Sequence, residues 1–383
     1  MEPQLFLDFE KFVRQIYHEV PLLLHRPVFS NSDERHVLAS LKTNFVSSAG
    51  PEVGLFEEQI AEFTEAKYAI ATVSGTAALH ACLAAIGVTQ GDEVIIPPLT
   101  FVATGNAVKY CGAEPVFLDV EPITGTICPE ALRHFLLNAT TSVNGRLVNK
   151  ISKRTIKACI AMHTFGHPAR LFELSEICKS FDIDLIEDAA EALGSRIKDS
   201  HVGNVGRLST YSFNGNKIIT TGGGGMITTN DEELAVKLRH ITTTAKVPHR
   251  FNYFHDQLGF NYRLPNLNAS LGLGQMEHLT KFLAAKRKVA GIYSDFFKES
   301  FVRYWSEVPG TKSNYWLNAI SFPTEELKHS FLEFTNSRKI MTRSVWNLLP
   351  TLPHFKNAQT DGISVARSIY QTTVNIPSSV PNN

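Results

Sequence analysis

From Pro51 onward the apolar positions follow two alternating periods. Helical spacing predicts helices over 52–66, 76–87, 101–111, 129–137, 171–181 and 231–243. Between them, short apolar runs predict strands at 69–73, 93–97, 115–119, 157–164, 184–188, 209–213 and 225–229. Such alternation means βαβ units, hence an α/β fold on a mainly parallel sheet flanked by helices. A polar stretch at about 138–155 reads as a surface loop interrupting the pattern.

The flanks read differently. Leu5, Phe6, Phe9, Phe12, Val13 and Ile16 recur at helical spacing and predict an amphipathic helix over 4–18. Pro21 to Phe29 reads as extended, and Asn31 with Glu34 suggests a capping box opening a helix that reaches about Lys42. Residues 45–50, rich in small polar side chains, read as a loop. Beyond Arg263 the period is helical from Asn266 to about Ser300. A smaller α+β unit follows, with a strand at 315–322, a helix near 324–337 and a last stretch bearing Arg343 and Trp346. The expected division is an N-terminal segment plus large domain over 1–263 and a smaller C-terminal domain over 264–383. Thr242 to Phe260 has no clear period and reads as an ordered active-site loop.

Composition narrows the function. Lys plus Arg and Asp plus Glu balance at 37 each, which leaves no electrostatic case for nucleic acid or an anionic membrane as partner. No run approaches the ~18 apolar residues a membrane span needs, and no basic segment followed by an apolar core opens the chain, so a cytoplasmic location is expected. Cys82, Cys111, Cys128, Cys159 and Cys178 are odd in number and lack metal-ligand spacing, so neither a disulfide nor a metal is expected.

Three stretches carry chemistry. Lys217, in Ser212-Phe213-Asn214-Gly215-Asn216-Lys217, runs through Ile218 and Ile219 to the glycines 222–225, a place where a partly desolvated amine can attack an aldehyde. Asp188 ends the apolar run Asp184 to Asp188, at the carboxyl edge where open α/β sheets bind ligands. Ser74-Gly75-Thr76 opens a helix, where free amides and the helix dipole suit a phosphate. Singly, each has a plainer reading: a loop lysine, an acid at a loop start, an N-cap. Together they match a pyridoxal-phosphate site, with the acid against the pyridine nitrogen.

With Thr100-Phe101-Val102-Ala103-Thr104, Glu187-Asp188-Ala189-Ala190 and Gly259-Phe260-Asn261-Tyr262-Arg263 in the same order, the chain resembles the fold-type I sugar aminotransferases of the DegT/StrS type from about Pro21 to Pro377. The resemblance implies pyridoxal 5′-phosphate held by Gly75, Thr76, Phe101, Asp188, Glu191, Ser212, Lys217 and Asn261, with Lys217 and Asp188 catalytic. Phe101 would lie against the pyridoxal face, Ser212 would meet the phosphate, and Asn261 would reach the phosphate of a partner subunit, making an obligate homodimer with shared sites. Glu191 departs from the glutamine commonest there, and a carboxylate facing the cofactor's ring oxygen would be repelled unless protonated or turned away. The resemblance also brings residues 45–50 towards the bound sugar.

The implied reaction moves an amine, with glutamate as donor, to the C4 keto group of a nucleotide-linked 4-keto-6-deoxy sugar. Ser212 to Gly225, with Thr242 to His249, looks like the narrower group that makes UDP-linked 4-amino-N-acetyl sugars for legionaminic-acid-type or bacillosamine-type glycans. The alternatives are a GDP- or dTDP-linked substrate, a sugar dehydratase, whose relatives replace the lysine kept here at 217 by histidine, and a cofactor-free regulatory protein on the same fold. His163, at a strand end, is either a ligand-touching or a structural histidine.

Overall fold

A computed structural model describes residues 2–381. Helix α1 (Glu2–Tyr17) precedes α2 (Asn31–Thr43) and α3 (Glu52–Thr64). Next come β1 (Tyr68–Thr72), α4 (Gly75–Ala85), β2 (Asp92–Ile96), α5 (Val102–Tyr110), β3 (Glu114–Leu118) and α6 (Pro129–Ala139). After the hairpin β4 (Thr140–Val143) and β5 (Arg146–Asn149) follow β6 (Thr155–Met162), α7 (Leu171–Ser180) and β7 (Asp184–Asp188). Short β8 (Arg196–Ile197) and β9 (Ser200–His201) lead to β10 (Leu208–Ser212), β11 (Gly225–Thr229) and α8 (Glu232–Thr242).

The last third holds the pair β12 (Lys246–Val247) and β13 (Phe254–His255), then α9 (Asn266–Met276) and α10 (Leu279–Phe297). It continues with β14 (Arg303–Tyr304), β15 (Thr311–Lys312), β16 (Asn318–Ser321), α11 (Glu325–Ser337), β17 (Arg343–Ser344), β18 (Gln359–Asp361), α12 (Ser364–Thr372) and β19 (Thr373–Ile376).

The large sheet runs β1-β11-β10-β7-β6-β2-β3-β18. Only β11 runs antiparallel to its neighbours on that path, pairing with both β1 and β10. Both faces are covered, as parallel strands require. Ile95, Val116 and Cys159 pack on one face, while Val94, Ile96, Phe117 and Ile160 pack on the other. This is the expected α/β architecture.

The smaller sheet runs β14-β16-β19-β17. Its core includes Phe9, Val13 and Tyr17 of α1 beside Tyr293, Ile320 and Val374, and Phe12 stacks on Phe296 with centroids 4.2 Å apart. The two ends of the chain therefore share one apolar cluster.

Four expectations shift. The capping box sits one residue earlier, because Ser30 is the N-cap of α2 and its backbone N–H donates to Asp33. The stretch 138–155 forms the β4–β5 hairpin, its polar positions being the exposed side of a sheet-edge ladder. The long helical span breaks into α9 and α10 at Glu277 and His278, where His278 Nε2 lies 2.9 Å from Ser30 Oγ and 3.0 Å from Ser32 Oγ. The strand expected over 315–322 is confined to Asn318–Ser321, because Ser313 and Asn314 turn away to bond the Gly166 carbonyl and Ser195 Oγ. Elements β18, α12 and β19 were not among those expected from the sequence.

Candidate active site

A cavity of about 320 Å³ opens at the carboxyl ends of β6 and β7. It is lined by Gly75, Thr76, Phe101, Asp188, Glu191, Ser212 and Lys217, together with Trp316 and Trp346. Seven of the eight residues named from the sequence thus meet across about 140 positions of chain. Asn261 does not: it is exposed and bridges to Thr243, outside this cavity.

Lys217 stands on a turn closed by its own N–H to the Asn214 carbonyl at 3.0 Å. The segment folds back through Thr221 N–H to the Phe213 carbonyl and Phe213 N–H to the Gly224 carbonyl. The glycines make this possible: a Cβ on Gly225 would lie 2.5 Å from the Ser74 carbonyl, so the two loops could not touch with any other residue. The ammonium lies 3.9 Å from the Trp316 ring centroid and 3.4 Å from Glu191 Oε1. Its side chain keeps 13% exposure, into the cavity it lines.

Lys286 is a useful contrast. It is 1% exposed, and its Nζ donates to the Trp316 and Ser378 carbonyls. Burial holds its pKa well below the usual lysine value, but it has no open side from which to react.

Asp188 is buried at the end of β7. Its Oδ2 accepts from the Thr104 hydroxyl at 2.7 Å and its Oδ1 from the Ala190 N–H at 3.2 Å. Burial pushes its pKa up, against the pull of Thr104, Ala190 and Lys217. It has no ion pair among the described residues. Thr104 is held in turn by Thr100, 2.8 Å away, which gives the Thr100-to-Thr104 motif a role beyond presenting Phe101.

Next to it, Glu187 points to the other side of the strand. It accepts the N–H groups of Gly203, Val205 and Gly206 and bonds His163 Nε2 at 3.1 Å. Burial raises its pKa, but His163 and these amides more than offset that and keep it below the usual carboxylate value. His163 Nδ1 accepts from the Ala169 N–H at 3.0 Å, so both its nitrogens are engaged and it is structural.

Glu191 is turned away from neither Lys217 nor the cavity. Its Oε2 accepts the Phe165 N–H at 2.9 Å, and its carboxyl pKa is pushed up to about 7. Burial is the main cause, opposed by Lys217 and the Phe165 amide and reinforced by Asp188. The carboxyl is therefore partly protonated near neutrality.

At the opposite wall Ser74 caps α4, accepting from the Ala77 N–H at 3.1 Å. The plain N-cap reading of this stretch therefore holds as well, and it leaves the first-turn amides of Gly75 and Thr76 without acceptors inside the helix. Gly75 and Ser212 face each other closely: a Cβ on Gly75 would come within 3.0 Å of the Ser212 Cβ. Phe101, 51% exposed, presents its ring at the rim.

This donor set suits pyridoxal phosphate. A buried carboxylate without an ion partner, a flat aromatic at the rim, helix-start amides beside a hydroxyl, and a reachable lysine answer its ring nitrogen, ring face, phosphate and aldehyde.

Among the described residues no His, Cys, Asp and Glu cluster could hold a metal ion, and no helix is long and apolar enough to cross a membrane.

Residues 28–381 match the model of the DegT/DnrJ/EryC1/StrS aminotransferase family. The chain belongs to that family. It is similar to the GDP-perosamine synthase of Escherichia coli O157:H7, 34% identical over 93% of this chain and 92% of that one. It is also similar to the UDP-2-acetamido-2-deoxy-3-oxo-D-glucuronate aminotransferase of Pseudomonas aeruginosa, 36% identical over 65% of each. The structure of a DegT DnrJ EryC1 StrS aminotransferase from Brucella abortus superimposes with a TM-score of 0.83 at 25% identity, covering 91% of this chain and 90% of that one.

This sugar aminotransferase is thus a pyridoxal-phosphate enzyme of fold type I, which removes the cofactor-free alternative. Trp316 and Trp346 are cavity residues that sequence reasoning did not single out. Trp316 arrives through a contact no local pattern encodes, its Nε1–H donating to the Asn216 carbonyl at 2.7 Å. Arg263 holds the 45–50 loop through the Ser48 carbonyl, and none of that loop lines the cavity. Residues 242–260 carry the short β12–β13 ladder, Lys246–Val247 against Phe254–His255, and lie outside this chain's own cavity.

Proposed function

We propose that this aminotransferase transfers an amino group from glutamate to the C4 keto group of a 4-keto-6-deoxy sugar carried on a nucleoside diphosphate. The observation that carries this is the placement of Lys217 at an open cavity wall between Glu191 and Trp316, opposite the helix start at Gly75.

Pyridoxal phosphate, when bound, supplies an aldehyde to take up the amine and a ring that withdraws electrons. Gly75, Thr76 and Ser212 would hold the phosphate and Phe101 the ring face. Asp188 would hold a proton at the ring nitrogen, its orientation fixed by Thr104 and Ala190. The Lys217 amine is the base that takes the proton from the donor's α-carbon, and the same amine handles the reverse transfer on the sugar. Glu191, with its pKa near 7, keeps an exchangeable proton 3.4 Å from that amine.

Two protomers are proposed to complete each site, with Asn261 reaching the partner's phosphate region. Asn261 is exposed and away from its own cavity, and the nearby Phe251, Tyr253 and Leu258 are 73%, 82% and 84% exposed, an apolar face that a twofold partner would cover. A cytoplasmic location fits a substrate of this kind.

The Ser212-to-Gly225 stretch supports a UDP-linked N-acetyl sugar, as in lipopolysaccharide O-antigen or nonulosonic acid synthesis. The similarity to a GDP-perosamine synthase favours a GDP-linked sugar at least as well, and this is the second reading. Purified enzyme given glutamate and a panel of UDP-, GDP- and dTDP-linked 4-keto sugars is expected to convert one of them to its 4-amino product, seen by mass spectrometry. Conversion of none, with a 3-keto sugar accepted instead, would overturn the 4-keto assignment.

A further inference from the structure

Lys217 is the only cation among the described residues lining the cavity, and its charged end is held on two sides. It lies 3.9 Å from the Trp316 ring centroid and 3.4 Å from Glu191 Oε1. Trp316 is 4% exposed, whereas Phe172, Tyr253 and Tyr370, the rings that meet Lys198, Lys246 and Lys328, are all more open to water. A cation gains most from an aromatic face where water is excluded, which sets the Lys217 contact apart from these three.

The rest of Trp316 serves to fix that face. Its N–H donates to Asn314 Oδ1 at 2.9 Å, its carbonyl accepts from Lys286 Nζ at 3.0 Å, and its indole Nε1–H donates to the Asn216 carbonyl at 2.7 Å. With all three polar groups engaged, only the π face is left to act. Asn216 immediately precedes Lys217, so the ring is tied to the very turn whose amine it meets. Asn314 Nδ2 also donates to the Glu191 and Leu193 carbonyls, each at 2.9 Å. One short segment, 314–316, therefore sets the ring against Lys217 and grips the backbone of Glu191.

A lysine side chain is long, and holding its end in one place removes much rotamer freedom. An amine that must take a proton from one carbon and return it to another acts fastest when it is already in place. On taking the proton it becomes the ammonium that a π face attracts. Glu191 is partly protonated near neutrality and so holds a cation less firmly than a full carboxylate would, whereas the indole face does not titrate.

We propose that Trp316 is a positioning residue for the reaction: its indole face is the seat of the Lys217 ammonium whenever the amine is free of cofactor, and the one ring serves both half-reactions. This rests on Lys217 being the base that moves the proton, as proposed above.

The test keeps the ring's shape and changes its charge distribution. Tryptophan at 316 is replaced, at that codon alone, by its mono-, di- and trifluorinated analogues, because ring fluorines withdraw electron density from the face that attracts the cation. In single-turnover measurements the glutamate half-reaction and the keto-sugar half-reaction are expected to slow together, step by step with fluorination. W316L, which removes the face, slows each by at least about tenfold, and W316F, which keeps a face, recovers part of the loss. The KM for either substrate stays within about twofold of wild type, because the ring acts on the amine and not on substrate binding.

A second measurement does not depend on turnover. In the enzyme loaded with pyridoxamine 5′-phosphate, where the amine is free, the ε-methylene protons of Lys217 are assigned by their absence in Lys217→Ala. They are expected to be shifted upfield by the indole ring current and to return to the ordinary position in W316L. An ordinary position in wild type overturns the proposal, even where W316L fails to fold. Half-reaction rates that ignore fluorination also overturn it. So does slowing of the sugar half-reaction alone with a raised KM for the sugar, which would make Trp316 a wall for the sugar. A Lys217→Ala enzyme that still transaminates overturns instead the reading of Lys217 as the base, an outcome that no change at Trp316 can imitate.

Discussion

Replacing Glu191 by glutamine changes how stability depends on pH, and the structure gives both sign and size. The Glu191 carboxyl is 1% exposed and titrates near 7 in the folded chain, against an ordinary 4.5. Because the folded value lies above the unfolded one, its contribution to stability is complete below about pH 4.5 and is lost as pH rises through about 7. At roughly 1.4 kcal/mol per unit, the loss between pH 4.5 and pH 8 comes to about 3 kcal/mol. Glutamine keeps an oxygen for the Phe165 amide and does not ionise, so E191Q lacks this slope.

Urea unfolding of cofactor-free wild type and E191Q, run at half-unit steps from pH 5 to 8.5, measures the difference. E191Q is expected to gain on wild type by about 2–3 kcal/mol across that range, most of it between pH 5 and 7, with the gain levelling off above about 7. A difference that stays flat to within ~0.5 kcal/mol would refute the argument that burial, more than Lys217, decides the charge of Glu191.

Lys217→Ala is expected to leave the fold intact and to lower transamination by at least about 100-fold, since it removes the only amine placed to move the proton; turnover of the purified variant checks this. Asp188→Asn should slow turnover by roughly 100-fold or more while cofactor affinity falls far less, because the charge that holds the ring-nitrogen proton is lost but the hydrogen-bond geometry survives. Turnover within a few-fold of wild type would count against that role. Mixing Lys217→Ala with Asn261→Ala chains is expected to restore part of the activity after subunit exchange, because one of the two shared sites then carries neither lesion. A mixture no more active than its components, or an active monomer, would count against shared sites.

Much of this site was legible because its parts are local. A glycine run that lets two loops touch, a helix start at Ser74 and an acid ending an apolar strand each leave a mark within a few residues. What stayed hidden depends on distant partners. Trp316 enters the cavity through a bond to Asn216, 100 residues away in sequence, and Thr104 matters only because Asp188 lies beneath it. The pKa of Glu191 could not be read from sequence, since the Phe165 amide and the extent of burial set it. The break between α9 and α10 was missed for the same reason: His278 answers Ser30 and Ser32, some 246 positions earlier, and not its own helix. The terminal strand β19 is fully buried between β16 and β17, yet its four residues are too few for a period to show.

The central claim is that Lys217 is the amine that carries the cofactor, and the chain contains an internal competitor in the buried Lys286. Borohydride treatment of the holoenzyme followed by peptide mapping decides between them, because reduction fixes the cofactor covalently to the amine that holds it. The account predicts the label on the peptide containing Lys217 and its loss in Lys217→Ala. Label on Lys286, or on any other lysine, would contradict it.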